Sequence, residues 1–80
     1  MMMVTGAQIR AGRAFVRLSA AELASLARVG RMTIVRSELT DGVPSTTEAN
    51  LFAIQTALET LGVTFGADGS VNYRLNVRKV

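Results

Sequence analysis

Two short stretches of helical periodicity separated by "RVG" constrain this chain more than any other feature. In "LSAAELASLA" the apolar residues Leu23, Leu26 and Ala27 recur at helical intervals. Ser19 stands at the N-cap, with Glu22 three residues later at capping-box spacing. Gly30 is a poor interior residue and an acceptable N-cap, so the periodicity breaks there. A second short helix then runs from Arg31 to about Glu38. Two short helices joined by a tight turn form a helix-turn-helix when their crossing sends the second into a groove.

The flanking segments read as further elements. Thr5 caps a first helix over roughly 6–16, with Ile9, Ala14 and Val16 available for its buried side. "LTDGVP" is loop, because Asp41-Gly42 is a turn signal and Pro44 keeps Val43 out of helical geometry. Ser45 or Thr46 caps the longest helix. Its stripe is Leu51, Ile54, Leu58 and Leu61, and Gly62 is the stop. Beyond Gly62, "VTF" and "VNYRLNV" alternate apolar with polar around "GADGS", which predicts a β-hairpin. The expected architecture is mainly α: four helices, then a hairpin. Residues 1–4 are expected to be a flexible N-terminus, 5–62 the helical domain, and 63–80 a hairpin and tail.

Composition narrows the chemistry. Eighty residues allow one modest core, and the chain has neither cysteine nor histidine. Disulfides, thiolate metal sites and the commonest general base are therefore missing. No enzyme activity, metal or cofactor is expected. The opening is too short and too weakly apolar for a signal peptide, and no apolar run approaches membrane-spanning length. A cytoplasmic protein without a membrane partner is the expectation.

Charge is sorted along the chain. Residues 1–36 carry six arginines against Glu22 alone, whereas residues 37–73 carry five acidic residues and no basic one. Arg74, Arg78 and Lys79 follow, bringing the net charge to +3. A basic face built mainly by the N-terminal half follows, made of the side chain best suited to phosphate and guanine edges. Read singly, Arg10, Arg13 and Arg17 are ordinary solvated charges on the first helix. The tail cluster is either a DNA contact or a solubilising end.

The stretch "LSAAELASLARVGRMTIVRSE" resembles the helix-turn-helix of the Xre/Cro-CI family of bacterial and phage transcriptional regulators. That family's pattern is roughly S-Q-x-x-L-A-x-x-A-G-V-S-x-x-T-I-x-x-x-E. Ser19, Leu23, Ala24, Ala27, Val29, Thr33, Ile34 and Glu38 match it. "TGAQIRAGRAF" and "DGVPSTTEANLFAIQTALE" resemble the family's first helix and its loop with the fourth helix, so the likeness covers about residues 5–65. It implies a four-helix lambda-repressor-like domain. It also implies an ion pair between Arg13 and Glu38, and a third helix that lies in the DNA major groove. Arg31, Met32, Val35 and Arg36 then face the bases, with arginine as a bidentate partner of guanine.

Phosphate contacts are expected from Ser19 and the backbone N–H of Ala20 at the second helix's N-terminus. Further candidates are Arg10, Arg17, Arg28, Thr33, Ser45, Thr46 and Thr47. The sequence departs from the family at Ala20, where glutamine is usual, and at Arg17 and Arg28, where glycine is frequent. Arg28 in a left-handed conformation costs on the order of 1–2 kcal/mol. Ser37, in place of an aliphatic residue, weakens the core.

An isolated hairpin is marginal in water and exposes unpaired edges. Pairing with a second chain is the simplest remedy, so a homodimer through Val71, Tyr73 and Leu75 is expected. A dimer also suits a palindromic operator. The functional expectation is a sequence-specific DNA-binding regulator, a repressor or autoregulator of the kind frequent in prophages and mobile elements. The alternative is a degenerate helix-turn-helix that binds a protein partner, antiactivator- or antitoxin-like.

Overall fold

The structure, a computed structural model, describes residues 3–74. It is mainly helical with one two-stranded antiparallel hairpin: α1 Gly6–Val16, α2 Ala20–Ala27, α3 Arg31–Glu38, α4 Glu48–Thr60, β1 Val63–Phe65 and β2 Val71–Tyr73.

Local chemistry accounts for the helix boundaries. Thr5 caps α1 through a full capping box, its hydroxyl accepting from the Gln8 N–H while the Gln8 side chain accepts from the Thr5 N–H. Ser19 and Glu22 make the same reciprocal pair at α2. Gly30 is the N-cap of α3 and offers no side-chain hydrogen bond. Thr47 caps α4, accepting from Asn50 N–H. The expectation of Ser45 or Thr46 at that position is therefore corrected. Three consecutive hydroxyl residues compete for the cap, and only Thr47 lies one step before the first helical residue.

Both α1 and α2 end in the same way. Arg17 and Arg28 each have φ 58° in the left-handed region. The N–H of Leu18 donates to Arg13 C=O and that of Val29 to Ala24 C=O. These are Schellman ends, with arginine at the position that glycine normally takes. Such a backbone costs on the order of 1–2 kcal/mol per residue.

The core is a single cluster: Val4, Ile9, Leu23, Ala24, Ala27, Ile34, Leu51, Ile54, Leu58 and Val63. Each fully buried Leu or Ile contributes roughly 1.5–3 kcal/mol through removal of apolar surface from water. Val4 is fully buried and Met3 packs against the cluster, so the expected flexible N-terminus is corrected for residues 3 and 4. On α1 the buried face is Gly6, Gln8, Ile9 and Gly12, while Ala14 is exposed and Val16 only half-buried. Leu26 on α2 is likewise exposed.

The hairpin does not stand alone. Val63 is buried, and Phe65, Val71 and Tyr73 pack against the helical core. The Tyr73 ring stacks on Phe15 at 5.5 Å between centroids. Buried Gln8 donates from Nε2 to Gly66 C=O (2.9 Å) and Ser70 C=O (3.1 Å), tying the hairpin turn to the start of α1. Val71 and Tyr73, expected at a dimer interface, thus pack on their own chain, because α1 and α4 supply the apolar surface the hairpin needs. Leu75 lies outside the described residues.

Candidate nucleic-acid interface

The α2–turn–α3 unit is built from the inside outward. Leu23, Ala24 and Ala27 of α2 and Ile34 of α3 are buried, with Val29 of the turn packed against them. Ala24 leaves room for close approach, and the left-handed Arg28 reverses the chain into Gly30. With Ile34 and Ser37 inward, helical geometry turns Met32 and Arg36 outward, and Arg31, three residues before Ile34 at the first position of α3, is exposed as well. Met32 is 48% exposed, high for a thioether side chain. Val35 is half-buried at the edge of this face, and Thr33 is half-buried beside it.

Helix α1 holds α3 from behind. Arg13 Nε donates to Glu38 Oε2 (2.7 Å) and Nη2 to Glu38 Oε1 (2.8 Å), a bidentate pair at the end of α3. Arg13 Nη1 also donates to Leu18 C=O, fixing the α1–α2 corner. The hydrogen bond to Glu38 raises the Arg13 pKa above its ordinary value, although partial burial opposes the shift. At the start of α1, Gly6 lies directly on the carbonyls of Ser37 and Thr40, where no Cβ fits. Ser37 itself is buried and its hydroxyl donates to Thr33 C=O (2.6 Å). The serine that departs from an aliphatic core thereby satisfies its polar group.

Arg10 requires a correction. Its Nη1 donates to Glu38 C=O (2.6 Å) and its Nη2 to Asp41 Oδ1 (2.7 Å), so this guanidinium ties α1 to the end of α3 and the following loop. These bonds use two of the guanidinium's five N–H donors, so a phosphate contact there would compete with Asp41 for the charge. Asp41, 31 residues away in sequence, captures it.

Among the described residues, Arg17, Arg28, Arg31, Arg36 and Arg74 have no carboxylate within ion-pair distance. Arg17 lies next to Ser19 and Ala20 at the start of α2. A carboxylate occupies that end too: Glu22 accepts from the Ser19 N–H, and hydrogen bonding to Ser19 lowers the Glu22 pKa. Ser19 and Ala20 therefore present their donors beside a fixed negative charge, which weakens this end as an anion site.

A polar hollow flanks α3 on the other side, lined by Thr33, Arg36, Ser37, Pro44, Ser45 and Thr46. Pro44 is buried, and Thr46 Oγ1 accepts from Asn50 Nδ2 (3.1 Å). Ser45 and Thr46 are separated from Arg36 by the loop, and only the fold of that loop brings them together, with buried Pro44 as a further wall. Thr47, the cap of α4, is exposed just beyond the hollow.

No family profile and no curated protein sequence matches this chain. Among the described residues, no group of three His, Cys, Asp or Glu side chains is placed to hold a metal ion. No described helix is long and apolar enough to cross a membrane.

Proposed function

We propose that the chain is a sequence-specific DNA-binding regulator in which α2 and α3 act as a helix-turn-helix and α3 enters the major groove. The observation that carries this reading is the outer face of α3. Arg31 and Met32 are exposed there, the arginine has no carboxylate partner among the described residues, and Arg13–Glu38 braces the same helix from behind. An exposed guanidinium on a rigid rod matches the fork needed for guanine O6 and N7, worth roughly 1–3 kcal/mol of discrimination. Met32 and Val35 offer apolar contact to thymine methyl groups. Arg17 and Arg28 add exposed charge at the C-terminal ends of α1 and α2.

A homodimer belongs to the proposal, with a changed interface. Each hairpin strand has one edge without a strand partner among the described residues. Pairing of β2 with β2 of a second copy would use backbone groups, since the side chains of Val71 and Tyr73 pack inward. Two recognition helices about one DNA turn apart would read a palindrome.

A second reading, a module that binds a protein partner, has one observation in its favour. An apolar groove lies between Met3, Val4 and the start of α4, beside Phe52, which is 60% exposed. A gel shift at low salt with the DNA upstream of the chain's own gene separates the readings. The DNA reading expects a shift that Arg31→Ala weakens; absence of any shift favours the protein partner.

A further inference from the structure

We infer that the hollow between α3 and the loop before α4 is a phosphate-oxyanion site gripped by Arg36, so that Arg36 holds the nucleic-acid backbone rather than a base. This rests on the DNA reading for the source of the phosphate, but the site itself does not.

The lining is matched to one chemistry. Arg36 supplies a guanidinium with no carboxylate partner among the described residues, and no carboxylate lines the hollow. Thr33, Ser45 and Thr46 add hydroxyls around it. Thr46 Oγ1 already accepts from Asn50, which leaves its O–H to donate outward. Ser37, by contrast, turns its O–H onto Thr33 C=O and closes the inner wall. A cation and several O–H donors around a small concave space fit a tetrahedral oxyanion, which accepts from several directions at once. Arg36 is also one helical turn beyond Met32, on the side of α3 that faces Pro44 and Ser45. Its guanidinium can therefore grip a phosphate at the groove wall while Arg31 points to the bases.

Two sources share this chemistry, a DNA phosphodiester and free phosphate, and two arms tell them apart. In the first, the full chain in chloride buffer is titrated with inorganic phosphate and followed by amide and arginine Nε–H resonances. Saturable shifts at Arg36, Ser45 and Thr46 that vanish in Arg36→Ala support the site. No saturable shift, or one that survives Arg36→Ala, overturns it.

In the second arm, Arg36→Ala is tested on matched and mismatched duplexes. A backbone grip predicts roughly tenfold weaker binding on all of them, a salt slope reduced by about 1, and recovery by Arg36→Lys. Loss confined to duplexes carrying one particular guanine, without recovery by lysine, overturns the assignment. Phosphate binding with no duplex binding supports the hollow, names free phosphate as its occupant, and removes the DNA reading instead.

Discussion

Arg13 and Glu38 join α1 to α3 through two parallel hydrogen bonds of 2.7 and 2.8 Å, with Glu38 the more enclosed partner. This pair holds the helix that presents Arg31. Removing one member leaves the other partly buried and uncompensated. Arg13→Ala or Glu38→Ala should each cost roughly 2–4 kcal/mol, below the full range for a wholly buried pair because Arg13 is a quarter exposed. Replacing both by methionine should recover most of that loss. Urea denaturation of the two single variants and the double variant measures it. Additive losses in the double variant would show that the pair does not act as a unit.

The left-handed arginines predict opposite effects on stability and binding. Arg17→Gly and Arg28→Gly relieve backbone strain, and after glycine's own entropic cost each should gain about 0.5–1 kcal/mol. Both remove a positive charge near the proposed interface, so duplex affinity should fall while the unfolding midpoint rises. Variants that gain stability with unchanged duplex affinity would remove these arginines from the interface.

Two glycines of α1 look alike in sequence and should respond differently to alanine. A Cβ at Gly6 meets the backbone carbonyls of Ser37 and Thr40, which cannot move aside without shifting α3. Gly6→Ala should destabilise by about 1–3 kcal/mol. At Gly12 the neighbours are the side chains of Val63, Leu58 and Phe65 at 3.2–3.4 Å, which can yield. Alanine's helix propensity offsets that adjustment, so Gly12→Ala should fall within about 1 kcal/mol of the parent. Thermal melts of the two variants provide the comparison.

The Ser19–Glu22 capping box should loosen in acid. Its hydrogen bonds to Ser19 lower the Glu22 pKa below the ordinary glutamate value. For a depressed carboxylate the stabilising contribution is present above the unfolded-state pKa and disappears as pH falls through the folded-state value. Asp68, lowered by hydrogen bonds from Ser70 in the hairpin turn, behaves in the same sense. Carboxyl-carbon NMR titration should place both midpoints below those of the same residues in an unfolded peptide. Coincident midpoints would mean that neither interaction persists in solution.

How much of this was legible beforehand depends on the range of the interaction. Caps and stops are local, so Thr5, Ser19, Gly30 and Gly62 marked their boundaries, and the unusual backbone of Arg28 followed from its place in the turn. What escaped was set by partners far away in sequence. Gln8 is buried because the carbonyls of Gly66 and Ser70 converge on it. Arg10 is engaged because Asp41 comes within 2.7 Å. Leu26 sits three residues after Leu23 yet faces solvent, since periodicity does not say how wide a stripe the core covers, and Ala14, five residues after Ile9, falls off the buried stripe of α1. At the candidate site, the exposure of Arg31 and Met32 agrees with what the family resemblance implied, although Arg31 stands three residues before buried Ile34. The hollow beside Arg36 was not, because it exists only where the loop at Pro44 folds onto α3.

Selection of bound duplexes from a random-sequence pool, with the parent chain and Arg31→Ala side by side, decides whether α3 reads bases through Arg31. The account predicts that the parent enriches an inverted repeat with a guanine in each half, and that Arg31→Ala loses the preference at that guanine while still binding DNA. No enriched sequence, or the same sequence enriched by both proteins, would contradict it.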